Sequence, residues 1–216
     1  VASEWSSKTY QNTRSSLSTA PLEPNVKWRY KTGASVTSSP SVSGGLVFVG
    51  SRDDYIYALD QYTGELKWRY KTGDGVFSSP SVSGGLVFVG SYDDYIYALD
   101  QYTGTLKWKY KTGYDVFSSP SVSGGLVFVG SVDNYIYALD QYSGELKWKY
   151  KTGDDVFSSP SVSGGLVFVG SDDDYIYALD QYTGELKWRY KTGDDVYSSP
   201  SVSGGLVFVG SVDNYI

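Results

Sequence analysis

The chain has 216 residues, with 18 Lys and Arg against 24 Asp and Glu and no Cys, His or Met. These absences exclude thiol nucleophiles, disulfides, imidazole catalysis and zinc clusters of Cys or His, and the net charge of -6 opposes nucleic acid and anionic lipid. No apolar run approaches the roughly 20 residues of a membrane helix, so membrane insertion is not expected, and 25 Gly with 22 Tyr point to short strands and tight turns.

In chain order, residues 1–25 read as a lead-in segment or arm and residues 26–216 as repeats. The period is 40: residues 57–96 and 97–136 differ at six positions, Glu65/Thr105, Arg69/Lys109, Asp74/Tyr114, Gly75/Asp115, Tyr92/Val132 and Asp94/Asn134. Repeats of this length are pairs of helices or propeller blades, and this unit is written in strands. An outer strand is expected at 26–31. Ser38-Ser39-Pro40-Ser41-Val42 then reads as a short edge strand, the position that tolerates a proline. Ser43-Gly44-Gly45 makes a hairpin turn into Leu46-Val47-Phe48-Val49, an apolar run fit for a strand buried on both faces. Asp53-Asp54 turns into Tyr55-Ile56-Tyr57-Ala58-Leu59, and Gln61-Tyr62-Thr63-Gly64 makes the next turn. In the last strand Leu66, Trp68 and Tyr70 point one way while Lys67, Arg69 and Lys71 point the other, a charged pattern that protects an exposed edge. Complete blades are expected at about 37–71, 77–111, 117–151 and 157–191, with a partial blade at 197–216. The fold class is all-β, a propeller of four-stranded antiparallel blades.

The stretch Ala58-Leu59-Asp60-Gln61-Tyr62-Thr63-Gly64-Glu65-Leu66-Lys67-Trp68 recurs at Ala98–Trp108, at Ala138–Trp148 with Ser143 for Thr, and at Ala178–Trp188. It resembles the repeat signature of the pyrroloquinoline-quinone-type β-propellers. That resemblance implies that Trp28, Trp68, Trp108, Trp148 and Trp188 dock against neighbouring blades with the Thr-Gly turn as support. The head, with Trp5, Tyr10-Gln11-Asn12-Thr13-Arg14 and Pro24-Asn25-Val26-Lys27-Trp28, resembles the lead-in of secreted or surface-anchored members, which implies an extracellular or cell-surface location. Quinone-dependent dehydrogenases of the family use a vicinal Cys pair and a calcium site. With no Cys here, the resemblance carries no cofactor over.

The span 17–216 is five periods of 40, so five blades are expected, with the N- and C-terminal strands sharing the closing one. The rival reading sends the head to a neighbouring molecule, since an open blade edge is a template for strand addition.

The copies differ at definite addresses. Position 52 runs Arg52, Tyr92, Val132, Asp172, Val212, and position 54 runs Asp54, Asp94, Asn134, Asp174, Asn214. The second variable pair runs Ala34-Ser35, Asp74-Gly75, Tyr114-Asp115, Asp154-Asp155, Asp194-Asp195. Antiparallel order puts both clusters at one end of every blade, so with Asp53, Asp93, Asp133, Asp173 and Asp213 they form a candidate recognition face, with neutral drift at exposed turns as the alternative. The last five would form an acidic ring, read either as oxygen ligands for a hard cation or as turn aspartates that cap backbone N–H groups. Asp60, Asp100, Asp140 and Asp180 are expected to be structural. Tyr55, Tyr57, Trp68 and Tyr70 fit the core between blades.

The function expected is a non-catalytic scaffold for protein recognition or assembly that self-associates through its terminal strands. Catalysis is not expected, because near-identical blades repeat one environment where an acid and a base need two. The alternatives are a multivalent glycan-binding propeller and a designed or reconstructed protein with no function beyond folding. No metal, cofactor or catalytic residue is assigned.

Overall fold

The computed structural model describes residues 25–216, and every assigned helix or strand among them is a strand. The first blade holds β1 (Ser41–Ser43), β2 (Leu46–Ser51), β3 (Tyr55–Asp60) and β4 (Leu66–Lys71). The second holds β5 (Ser81–Ser83), β6 (Leu86–Gly90), β7 (Tyr95–Asp100) and β8 (Leu106–Lys111), and the third β9 (Ser121–Ser123), β10 (Leu126–Ser131), β11 (Tyr135–Asp140) and β12 (Leu146–Lys151). The fourth holds β13 (Ser161–Ser163), β14 (Leu166–Ser171), β15 (Tyr175–Asp180) and β16 (Leu186–Lys191), and a two-stranded sheet of β17 (Ser201–Ser203) and β18 (Leu206–Phe208) follows. Each four-stranded sheet is antiparallel in simple chain order. This is a β-propeller of about five blades, as the repeat implied.

The strands follow from their residues. In β4 Trp68 is buried and Leu66 and Tyr70 are half-buried, while Lys67, Arg69 and Lys71 face water, so the alternation lays one apolar face on the next blade. The core is made of three clusters, each bridging two blades. One joins Phe48, Ile56, Trp68 and Val76 to Val87, Val89, Tyr97 and Leu99, and Tyr70 meets Tyr97 at 5.7 Å between ring centres. Four complete blades have three such joints.

Two expected strands differ. The inner strand starts at Ser41, so Pro40 lies before it and not within it. The ladder is replaced there by the Ser38 hydroxyl, which donates to the Gly50 carbonyl at 3.0 Å and accepts from the Gly50 N–H at 2.8 Å. Residues 26–31 form no strand, although Trp28 occupies the docking position of an outer-strand Trp. A strand requires a ladder partner, and no third strand lies beside this segment among the described residues.

The inner rim is stitched by serines one period apart. The N–H groups of Ser39, Ser79, Ser119 and Ser159 donate to the hydroxyls of Ser79, Ser119, Ser159 and Ser199 at 2.8–3.1 Å. Among the described residues no bond returns from Ser199 to Ser39, so the expected closure through a shared blade is not made there; residues 17–24 lie outside the described residues.

Candidate functional site

The two variable clusters meet on one face, held by backbone bonds that repeat with the period. The N–H groups of Arg52, Tyr92, Val132, Asp172 and Val212 donate to the carbonyls of Ser35, Gly75, Asp115, Asp155 and Asp195 at 2.9–3.1 Å. The turns that hardly change lie at the other end, where Gln101 N–H donates to the Gly85 carbonyl and Gln101 Nε2 to Ser43 Oγ of the preceding blade.

Several expected recognition residues are engaged by the fold. Asp93 Oδ2 accepts from Gly73 N–H at 2.6 Å and from the Tyr97 hydroxyl at 2.5 Å, latching a blade to the link that precedes it. Asp53, Asp133 and Asp173 accept from Gly33, Gly113 and Gly153 and from Tyr57, Tyr137 and Tyr177 in the same way, and Asp213 accepts from Gly193. Their carboxylates therefore cap backbone and tyrosine donors and do not form a ring of free ligands. Burial works to raise the Asp53 carboxyl, but the bonds from Tyr57, Gly33, Ser51 and Tyr55 outweigh it and hold it below its ordinary value. Burial and the bond to Asp53 push Tyr57 up to about 12.

Position 54 is fixed by backbone shape. Asp54, Asp94, Asn134, Asp174 and Asn214 all have φ of 67–71°, the left-handed region that Asp and Asn tolerate best after Gly. Alternation of Asp with Asn there is what the turn permits, and the Asp54 carbonyl serves the fold by accepting from Thr72 N–H and Oγ1 at 2.8 Å. Asp60, Asp100, Asp140 and Asp180 are structural as expected, since each Oδ1 accepts two N–H groups of its own turn. Those bonds, led by Thr103, with Lys107 next, lower Asp100 to about 2.

What remains free to vary is position 52 and the linker pair, and beside them runs a column absent from the sequence reading. Phe77, Phe117, Phe157 and Tyr197 occupy one repeat position, which is Thr37 in the first copy. Their rings form a continuous ladder with Tyr92. Phe77 stacks on Tyr92 at 4.0 Å and 17°, Tyr92 meets Phe117 at 4.1 Å, Phe117 meets Phe157 at 5.0 Å, and Phe157 meets Tyr197 at 5.7 Å. Arg52 lies over Phe77 with its guanidinium carbon 4.7 Å from the ring centre. The signal that pointed to this column was four aromatics in five copies, two residues beyond the most variable pair.

The charges on this face are one-sided. Among the described residues Arg52 is the single basic residue outside the Lys/Arg triplets of the outer segments, whereas Asp74, Asp115, Asp154, Asp155, Asp172, Asp194 and Asp195 lie on the variable turns. Burial, then Asp195, Asp155, Asp154 and Asp173, push Asp172 up to about 7. Carboxylates of Asp174, Asp194 and Asp195 lie within 4.8 Å of one another, but Asp174 faces Lys191 at 3.8 Å and Asp195 accepts from the Tyr197 hydroxyl at 2.9 Å. The family's quinone and calcium do not fit these residues: the sequence has no Cys pair, and the acidic trio found among the described residues is partly engaged by a lysine and a tyrosine.

Of the five tryptophans that the resemblance implied to be joints between blades, four form one among the described residues. Trp28, Trp68, Trp108 and Trp148 each donate Nε1–H to the carbonyl of Gln61, Gln101, Gln141 and Gln181 at 3.0 Å. Trp188 has no such acceptor among the described residues and is 40% exposed, against 7% for Trp68. Trp188, Val207, Val209, Tyr215 and Ile216 line a groove of about 740 Å³ beside β18.

BamB from Moraxella catarrhalis superposes with a TM-score of 0.78 at 21% identity, covering 87% of this chain and 62% of that one. A computationally designed protein superposes at 0.73 and 18% identity, covering 81% and 55%, and the quinohemoprotein alcohol dehydrogenase of Pseudomonas putida HK5 at 0.66 and 22%, covering 78% and 36%. The chain thus spans about three fifths of the BamB chain, and at these identities the likeness is one of fold. A comparison with curated protein sequences finds no match. A family model described as the β-propeller of the beta-alanine-activating enzyme matches residues 17–216, and with the recurring Trp joint and the quinohemoprotein neighbour this shows that the chain belongs to that family of pyrroloquinoline-quinone-like β-propellers.

Proposed function

We propose that the chain is a non-catalytic scaffold that recognises protein through its variable face and self-associates through its open blade edges. The observation that carries the first part is the coincidence of sequence variation, a continuous aromatic ladder and one-sided negative charge on one face, while the opposite turns hardly change. A rigid stack of blades lets such turns change without cost to the fold. The second part is supported by the edge beside Trp188, unpaired among the described residues, and the Trp28 segment, without a sheet partner among them, which are two complementary portions of a blade. Absence of catalysis is supported by the repetition of one environment in every blade. A location outside the cytoplasm rests on the resemblance of the lead-in, which lies outside the described residues.

The test is site-specific photo-cross-linking in the source organism from Val132 on the variable face and from Tyr142 on the constant face. A protein adduct at Val132 alone supports the reading, and an adduct at Tyr142 alone overturns it. A glycan array answered by the chain and silenced by Tyr114→Ala would replace protein with sugar as the ligand.

A further inference from the structure

Arg52 shows what the aromatic ladder accepts. Its planar guanidinium rests on Phe77 at the first step, and the side chain at the same repeat position in the next copy, Tyr92, rests on Phe117 at the second. Three copies after Arg52 the position holds Asp172, beside Tyr197, the last ring of the ladder. Tyr197 is 50% exposed and Phe157 half-buried, so both rings have open area. The Tyr197 hydroxyl donates to Asp195 at 2.9 Å and is raised to about 12, by that bond first and by the Asp172 charge next. The Asp172 Oδ1 atom is buried with no hydrogen-bond partner. Ring faces with carboxylates around them favour a flat cation, which can stack and donate hydrogen bonds at once.

Resting on the reading of this face as a protein-recognition surface, we propose that the Phe157–Tyr197 end of the ladder seats an arginine side chain of a protein partner, stacked on the rings and paired with Asp172 and its neighbours Asp154, Asp155 and Asp195. The ladder then holds one guanidinium from its own chain, at Phe77, and one from the partner, at Tyr197. Lysine fits less well, because a compact ammonium stacks poorly and cannot reach two carboxylates along a plane. A calcium ion would need six to eight oxygens, and the closest group offers three carboxylates, two of them already engaged.

The experiment is a calorimetric titration of the 216-residue chain with three Gly/Ser peptides that differ only in carrying arginine, lysine or citrulline, at about 0.15 M salt to suppress diffuse attraction. The arginine peptide is expected to bind about fivefold more tightly than the lysine one, and citrulline to abolish binding. The pair Phe157→Leu and Tyr197→Leu is expected to bring arginine down to the lysine level, and the pair Asp172→Asn and Asp195→Asn to weaken arginine by about tenfold. Asp154→Asn, at an exposed turn, is a second reading of the charge contribution that leaves the packed rings untouched. Equal affinity for arginine and lysine peptides, or no response to any of these variants, overturns the proposal. So does self-association that Arg52→Gln abolishes, which would assign the seat to a second copy of this chain. A protein cross-linked at Val132 without any preference for arginine peptides sinks the seat and keeps the face, whereas adducts only at Tyr142 sink the face itself.

Discussion

At the scale of single residues, Asp172 has a pH consequence. Its carboxyl stands at about 7 in the folded chain, raised by burial and then by Asp195, Asp155, Asp154 and Asp173, against about 3.9 in an unfolded chain. The folded state therefore holds this proton more tightly. Its contribution to stability is complete below about pH 4 and is lost as pH rises through about 7. Asp172→Asn removes that loss, so the variant should match the parent near pH 4 and exceed it near pH 8 by about 1 kcal/mol once solvent screening is allowed for, a rise of about 2–4 °C in Tm. Urea melts at pH 4, 6 and 8 read this directly, and a gain of equal size at every pH would refute the assignment. The sequence shows Asp172 as one variant among five, at the same blade end as the linker pairs, but not how closely these approach it, because apart from the adjacent Asp173 the carboxylates around it come from links 17 to 23 residues away. The capping role of Asp93 is one of the two readings open from the sequence, but its partner is not legible there: the bond to Gly73 spans 20 residues and ties a blade to the link that precedes it.

At the scale of elements, the Trp joint is the unit of cohesion. Trp68 lies against the Thr-Gly turn of the next blade, where Gly104 has φ of +70°, and a Cβ on that glycine would fall 2.6 Å from Trp68 Cδ2. Gly104→Ala therefore meets both backbone strain and a clash with a ring that cannot retreat, and should destabilise by about 2–4 kcal/mol in a chemical melt. Trp108→Ala and Trp188→Ala make an internal comparison within one chain. The first removes a buried ring and its bond to Gln141 and should cost about 3–5 kcal/mol. The second removes a ring that is 40% exposed and has no carbonyl acceptor among the described residues, so it should cost less than half as much; equal losses would mean that Trp188 is covered in solution. Elements were the most legible level. The Ser-Gly-Gly turn, the apolar run of β2 and the alternation of β4 each carried its own period and punctuation. The Val26–Lys31 exception has a physical cause: the segment has strand chemistry but no neighbour to pair with among the described residues, and pairing is not a property of one segment.

At the scale of the whole molecule, the two ends of the arc are complementary. If the edge beside Trp188 is what drives association, appending a copy of Tyr177–Gly193 after Ile216 should supply the rest of the third strand, the Thr-Gly turn and an outer strand. Light scattering should then show the extended chain as a monomer at concentrations where the parent associates, and Trp fluorescence should shift to shorter wavelength as Trp188 is covered. A parent that is already monomeric throughout would refute association through this edge. Blade number was only partly legible from sequence. Five periods of 40 are countable, but whether the first segment meets the last depends on the angle between blades, which no residue announces.

The Trp-to-carbonyl joint has the same length, 3.0 Å, in all four places where it forms. A connector that is identical everywhere makes the blades interchangeable parts. Each blade carries a plug on its outer strand and a socket in its Gln-Tyr-Thr-Gly turn, and neither distinguishes its rightful neighbour from another. In-frame loss or duplication of one 40-residue unit thus leaves every remaining connector intact. The number of blades is then a quantity that a gene can change in a single recombination event, without any compensating substitution.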